Sequence, residues 1–311
     1  MTYPLTSLDG TATSRLAFGT MQFGGRADRA ASQQMFDAAL EAGITHFDTA
    51  HIYTDGASET YLGEMIKPHR DHLIIATKAA YTGGATPENI RTSAETSRTR
   101  MGIDVLDVLY LHRFDPDTDM NLSFEAFADL KSKGIIRHIG ISNYAAWQAA
   151  KASCIAAKFD LDITVIQPMY NVVKRQAEVE ILPMAHDLNM LCVPYSPLGG
   201  GLLTGKYAGG GTGRLTEDDR YAARYRFDHM HSAAAKLSEI AAREAVHPAT
   251  LAVAWAAAHD TAPTPIISAR STEQLAPSLA ALNYTMTPAL YAELAALVPA
   301  PPPATDRAEE V

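Results

Sequence analysis

Four residues able to carry chemistry together fall in order along the first half of the chain: Asp48, Tyr53, Lys78 and His112. A free tyrosine has a pKa near 10 and gives up its proton reluctantly at neutral pH. An ammonium beside it favours the phenolate and lowers that pKa. Lys78 is the candidate ammonium. Asp48 would hold and neutralise it, because an isolated charge is costly to bury. A neutral His112 could hydrogen-bond an oxygen on which negative charge develops. Such a set suits general acid–base work at a carbonyl that accepts a hydride, with the phenol protonating the developing alkoxide.

What would bring the four together is a repeated strand–helix pattern. Eight short apolar runs punctuate the chain: Leu16–Met21, Thr45–Ala50, His72–Lys78, Val105–His112, His138–Ser142, Thr164–Gln167, Met190–Ser196 and Pro265–Ser268. The later ones are rich in Val, Ile and Leu, as expected of parallel strands covered on both faces. Helix-like stretches lie between them. Ser32–Glu41 stops at Gly43, Pro87–Met101 opens after Thr86 and stops at Gly102, and Ser123–Lys133 stops at Gly134. Tyr144–Ala157, Ala177–Leu188, Ser232–Glu244, Pro248–His259 and Thr272–Leu282 follow. Eight strands alternating with helices predict a single-domain (β/α)₈ barrel over residues 1–298. Tyr3–Leu16 is read as a short hairpin capping the barrel floor, Lys206–Phe227 as a long loop, and 299–311 as a flexible Pro- and Ala-rich tail. Active sites of such barrels lie at the C-terminal ends of the strands. Asp48 ends the second run with Tyr53 just beyond, Lys78 ends the third and His112 the fourth. Neighbouring strands would therefore converge all four on one rim.

Each residue alone has a plainer reading. Asp48 with Lys78 could be a structural ion pair, His112 a satisfied core histidine, and Tyr53 packing. The four together, in order, at successive strand ends, favour the site. The whole chain sets bounds on partners. Its 311 residues carry a net charge of −9, with no basic run long enough for nucleic acid or a membrane surface. Two cysteines, Cys154 and Cys192, form no CxxC pattern, and Cys192 sits in an apolar run where a buried thiol is expected. No apolar stretch approaches membrane-span length, and the N-terminus lacks a basic segment followed by an apolar one. A cytoplasmic location is the expectation. The first run ends in Gly19-Thr20-Met21 rather than an H-x-H pair, which speaks against a metal-dependent barrel hydrolase and for no metal site.

Several segments carry a resemblance. They are Gly43–Ala50 with Tyr53 and Gly56–Glu59, then Lys78, Asp107–His112 and Gly140–Asn143, then Gln167–Asn171 and Tyr195–Leu198. In combination the chain resembles the aldo-keto reductase family over nearly its full length. The resemblance implies NADP(H)-dependent reduction of an aldehyde or ketone, with Asp48, Tyr53, Lys78 and His112 as the catalytic tetrad and Tyr53 as proton donor. It also implies a cofactor extended across the barrel mouth without a G-x-G-x-x-G fingerprint, and none follows a strand here. On this likeness Ser142, Asn143 and Gln167 match side chains that hold the nicotinamide amide, and Tyr195 matches the ring that stacks on it. Gly19, Thr20 and Met21 end the first run and should pass close by.

The phosphate end rests on less. Ser196–Lys206 contains Ser196, Pro197, Leu198 and Gly200, and its glycines permit close backbone approach to a pyrophosphate, to which Lys206 adds a cation. Ser268 stands where many relatives have Gly. Arg270 is the natural partner of a 2′-phosphate, and a helix starting near Thr272 could receive a phosphate at its N-terminus. Four residues after Gln274 relatives often have an Asn that contacts adenine; here it is Ser278, after Pro277. NADP(H) therefore leads on family grounds, with NAD(H) behind it. Phe23, Tyr81, Phe114 and Tyr144 follow strands one, three, four and five and are expected to line a pocket for an apolar carbonyl compound. A second reading is a regulatory subunit, since some family-like chains associate with channels while keeping tetrad and cofactor. The lack of a long N-terminal extension weighs mildly against it.

Overall fold

A computed structural model describes residues 5–305 together with 307 and 309. Eight parallel strands appear where the apolar runs predict them: β1 (Ala17–Gly19), β2 (His46–Asp48), β3 (Ile74–Ala79), β4 (Leu106–Leu111), β5 (Ile136–Ser142), β6 (Ile163–Gln167), β7 (Leu191–Cys192) and β8 (Ile266–Ile267). Strands β1 to β7 pair in chain order, and β8 pairs with β1. Backbone bonds from Thr264 N to Cys192 O and from Ile266 N to Pro194 O, both 2.8 Å, join β8 to the end of β7. The fold is a (β/α)₈ barrel.

Around it lie α1 (Arg29–Glu41), α2 (Ala57–Ile66), α3 (Pro87–Met101), α4 (Met120–Ser132), α5 (Ala146–Ala156) and α6 (Ile181–Asp187). Then come α7 (Arg214–Glu217), α8 (Asp219–Arg224), α9 (Asp228–Arg243), α10 (Pro248–Ala257), α11 (Thr272–Leu279) and α12 (Pro288–Ala295). Helix α3 shows why the sequence signals work. The Thr86 hydroxyl accepts from Asn89 N, Pro87 opens the first turn, and Gly102 ends the helix in the left-handed region at φ 63°.

Alternation along the strands sorts side chains into two cores. Ala17, Ile74, Ala76, Val108, Tyr110, Val165 and Val193 fill the barrel interior. Phe18, Phe47, Ile75, Leu109 and Ile141 pack outward into the helix layer. Leu5 joins the interior cluster from a small hairpin closed by an antiparallel bridge between Thr6 and Ala12. Arg137 ties that hairpin down, donating to Thr6 O and Asp107 Oδ1 at 2.7 Å each. The expected floor cap is thus seen from Leu5 onward; Tyr3 and Pro4 lie outside the described residues, as do tail positions 306, 308, 310 and 311.

Three expectations are corrected. Helix α2 occupies a stretch read only as motif, because Gly56 and Gly63 obscure its short apolar stripe. Lys206–Phe227 is not a plain loop: a 3₁₀ turn at Lys206–Gly209 is followed by α7 and α8, each too short to show helical periodicity. Most of Ala177–Leu188 narrows to the two turns of α6. Cys192 is buried in β7, and that burial pushes its thiol well above the ordinary range. Among the described residues no helix is long and apolar enough to cross a membrane, and no group of three His, Cys, Asp or Glu side chains could hold a metal.

Candidate active site

Asp48 and Lys78 share the inward phase of neighbouring strands, so their side chains meet inside the barrel mouth. Lys78 Nζ donates to Asp48 Oδ1 and, at 2.7 Å, to Thr49 O; Tyr53 Oη lies 3.5 Å away. Gln167 Nε2 donates to the other Asp48 oxygen at 2.9 Å. Both carboxylate oxygens are therefore engaged, and the ammonium is fully buried against them. Burial alone would depress the Lys78 pKa, but the charge of Asp48 and then Tyr53 outweigh it, and the net direction is up. Lys78 stays charged.

Tyr53 moves the other way from the sequence expectation. Burial of its hydroxyl raises the pKa above 10, and the opposing pull of Lys78 does not overcome it. Burial is the largest influence, and the Asp48 carboxylate adds to it by disfavouring a phenolate. His112 directly follows β4, its ring edge-on to Tyr53 at 5.8 Å between centroids and 4.8 Å from Tyr81. Burial, then Lys78 and Arg113, push its pKa down to about 3, so the imidazole is neutral at pH 7. Its Nδ1 is buried without a hydrogen-bond partner among the described residues.

Beside these four lies a polar lattice. Ser142 Oγ donates to Gln167 O at 3.0 Å, and Asn143 Nδ2 donates to His112 O at 2.9 Å. Tyr195 Oη donates to Asn143 Oδ1 at 2.7 Å. Asn143 adopts a left-handed backbone, φ 58°, the kind of local strain that collects at working sites. Ser142 and Asn143 do not cap α5; Gln148 Oε1 does, accepting from Ala145 N at 2.8 Å. Gly19 is required by packing, since a Cβ there would lie 2.7 Å from Ile266 Cγ2. Thr20 is buried, its hydroxyl held by Ser58 Oγ at 2.8 Å, while Met21 is half-buried beside it.

Farther along the rim, Ser196, half-buried, and buried Pro197 precede half-buried Leu198 and the run Gly199–Gly201, all three glycines at positive φ. A Cβ on Gly200 would come within 2.9 Å of Leu215 and Tyr221, so α7 and α8 rest directly on this cradle. Lys206 faces the Tyr207 ring, 4.9 Å from its centroid. Glu217 of α7 bridges Arg26 and Arg270 at 2.9 Å each, linking the β1–α1 and β8–α11 connections across the rim. Ser268 Oγ is buried without a partner among the described residues, and Gln274 Oε1 accepts weakly from Arg270 N at 3.4 Å. Ser278 is only 1% exposed, on the inner side of α11, so it does not offer an adenine contact at the surface.

The expected pocket residues divide. Tyr81 and Phe114 are half-buried at the mouth. Tyr144 is buried beneath Phe114, with ring centroids 5.5 Å apart. Phe23 is enclosed in the outer core against Phe18 at 5.7 Å and lines nothing; sequence order does not tell which way a side chain past a strand end turns. Sequence reasoning passed over Trp147, 63% exposed and 5.9 Å from Phe114. It also missed Tyr221, which α8 carries onto the glycine cradle, and Arg224, which lies over the Tyr221 ring. A tryptophan in the first turn of a helix beginning at a strand end was the available signal for the first.

The sequence model of the aldo/keto reductase family matches residues 15–299. The uncharacterized oxidoreductase YrpG of Bacillus subtilis (strain 168) is 31% identical over 322 residues, covering 97% of both chains. Aflatoxin B1 aldehyde reductase member 2 of Homo sapiens is 39% identical over 196 residues, 61% of this chain and 54% of the human one. A protein of Oryza sativa subsp. japonica named as a probable voltage-gated potassium channel subunit beta is 28% identical over 98% of this chain and 99% of its own.

Proposed function

The chain belongs to the aldo/keto reductase family, and on that footing we propose that it reduces aldehydes or ketones to alcohols with NADP(H), Tyr53 supplying the proton. The observation that carries this reading is the contact chain Asp48–Lys78–Tyr53, with neutral His112 against the same tyrosine ring. A bound nicotinamide supplies the hydride. The raised pKa keeps the Tyr53 hydroxyl stocked with its proton at neutral pH. Lys78 then favours the phenolate that forms as the proton leaves, and Asp48 with Gln167 keeps the ammonium in place. Neutral His112 can donate to the carbonyl oxygen without adding a second cation to the site.

The residues fit a dinucleotide. Ser142, Asn143 and Gln167 offer amide-reading groups, and Tyr195 a half-buried ring tied to Asn143. The orphaned Ser268 hydroxyl offers a donor for a phosphate, and the positive-φ run Gly199–Gly201 lets the backbone approach one closely. Lys206, Arg26 and Arg270 gather around Glu217, which favours an extra phosphate and so NADP(H) over NAD(H). Phe114, Tyr81 and Trp147 favour an apolar face on the carbonyl substrate. The test is NADPH oxidation with a panel of aldehydes: turnover supports a reductase.

A second reading has one observation behind it, the end-to-end similarity to the rice channel-subunit protein. In that reading the chain binds the cofactor as a regulatory subunit. Tight NADPH binding with no oxidation across the aldehyde panel would favour it.

A further inference from the structure

Glu59 and Arg100 lie outside the four central residues yet reach the segments that carry two of them. We propose that this pair is a positioning device that sets Tyr53 against Lys78; the proposal rests on the reading of Tyr53 as proton donor. Glu59 sits in the first turn of α2, where a carboxylate suits the helix dipole, and is fully buried. Its Oε1 accepts from Thr77 Oγ1 at 2.6 Å, and Thr77 immediately precedes Lys78 on β3. Its Oε2 accepts from Arg100 Nη1 at 3.0 Å. The same Arg100 nitrogen donates to His51 O at 2.7 Å, two residues before Tyr53. One buried carboxylate therefore ties the strand carrying Lys78 to the turn carrying Tyr53.

That turn needs holding. Thr54, Asp55 and Gly56 run consecutively through the left-handed region, at φ 48°, 53° and 93°, and two of them carry side chains that disfavour it. Thr54 Oγ1 donates to Phe23 O at 2.8 Å, anchoring one side. Arg100 anchors the other, and its guanidinium occupies the place a Cβ on Gly56 would take, 2.5 Å from Cζ. Glycine at 56 thus serves both the backbone angle and the passage of the guanidinium. Lys78 to Tyr53 is 3.5 Å, a distance at which a small shift of the turn breaks the contact. Fold stability alone would explain a buried ion pair; it does not explain why both ends of the network land within two residues of a tetrad member.

The test uses the full chain with Glu59→Gln and Arg100→Met. The glutamine side chain keeps the shape and an acceptor for Thr77 but removes the charge facing Arg100. Expected in each variant is a drop of at least tenfold in carbonyl reduction per cofactor-binding site, with NADPH affinity by fluorescence within threefold. Arg100→Lys should recover a large part of the loss seen in Arg100→Met. A second readout needs no turnover: the ultraviolet titration of Tyr53, isolated by subtracting Tyr53→Phe. The titratable groups facing Tyr53 are Lys78, Asp48, His112, Tyr195 and Tyr221, and none is altered. Losing the Lys78 contact should move the Tyr53 midpoint to higher pH. Should Glu59→Gln fail to fold, Arg100→Met and its rescue by Arg100→Lys carry the test. Reduction per site within twofold of the parent, or an unmoved Tyr53 midpoint, overturns the proposal. A parent that reduces no carbonyl would instead sink the reductase reading, and the Tyr53 titration would still decide this one.

Discussion

Replacing Asp48 with Asn removes the carboxylate that Lys78 touches while leaving the shape of the site intact. The ammonium is buried, and its other partners, Thr49 O and Tyr53 Oη, are neutral acceptors. Removing one member of a buried pair costs about 3–5 kcal/mol, because the remaining charge is left uncompensated. For a chain of this length that corresponds to a melting midpoint lower by about 5–8 °C. The pH dependence changes sign as well. In the parent, the Lys78 pKa lies above its unfolded value near 10.5, so its contribution is present below that pH and fades as pH rises through the folded value. Without Asp48, only Tyr53, protonated through this range, opposes burial, and the folded pKa should fall below the unfolded one. Stability of Asp48→Asn should then rise with pH toward 10.5, by about 1.4 kcal/mol per unit between the two values. Thermal melts and urea unfolding from pH 7 to 10, parent beside variant, read both effects. A midpoint within 1 °C of the parent at pH 7, with an unchanged pH trend, would refute the assignment of Asp48 as the group that holds the lysine's charge.

Two further outcomes follow from the rim. Arg270→Ala should weaken NADPH by roughly tenfold to a hundredfold, the worth of a charge-assisted contact, and leave NADH within twofold; equal losses for both cofactors would move the 2′-phosphate site elsewhere. In the cofactor-free protein, Glu217→Ala removes two partly exposed ion pairs that tie α7 to both connections. Limited proteolysis within residues 206–227 should accelerate, and an unchanged cleavage rate would show that Glu217 does not pin α7.

Much of this architecture was legible in the sequence because parallel strands announce themselves as short apolar runs. The eight runs and the ends of α3, with Thr86, Pro87 and Gly102 in their expected roles, needed no tertiary information. Placement of Asp48, Lys78 and His112 on one rim followed from strand order alone. Side-chain direction beyond a strand end was not legible. Phe23 turns into the core, and Ser278 faces inward on α11, although their positions in the chain suggested otherwise. Short helices escaped too: α7 and α8 bury little and repeat nothing. The Tyr53 pKa depends on a balance between burial and the Lys78 ammonium, and only the assembled site shows that burial prevails. The Glu59–Arg100 link joins residues 41 positions apart and leaves no local trace.

The most direct measurement is single-turnover oxidation of bound NADPH by an aldehyde in Tyr53→Phe beside the parent. Proton donation by Tyr53 requires the parent to react and the variant to lose roughly a hundredfold or more in rate, in the range of general acid catalysis. NADPH affinity by fluorescence should stay within threefold in both. A variant that binds and oxidises NADPH at a near-parent rate would contradict the role given to Tyr53, and with it the chemistry assigned to Asp48 and Lys78.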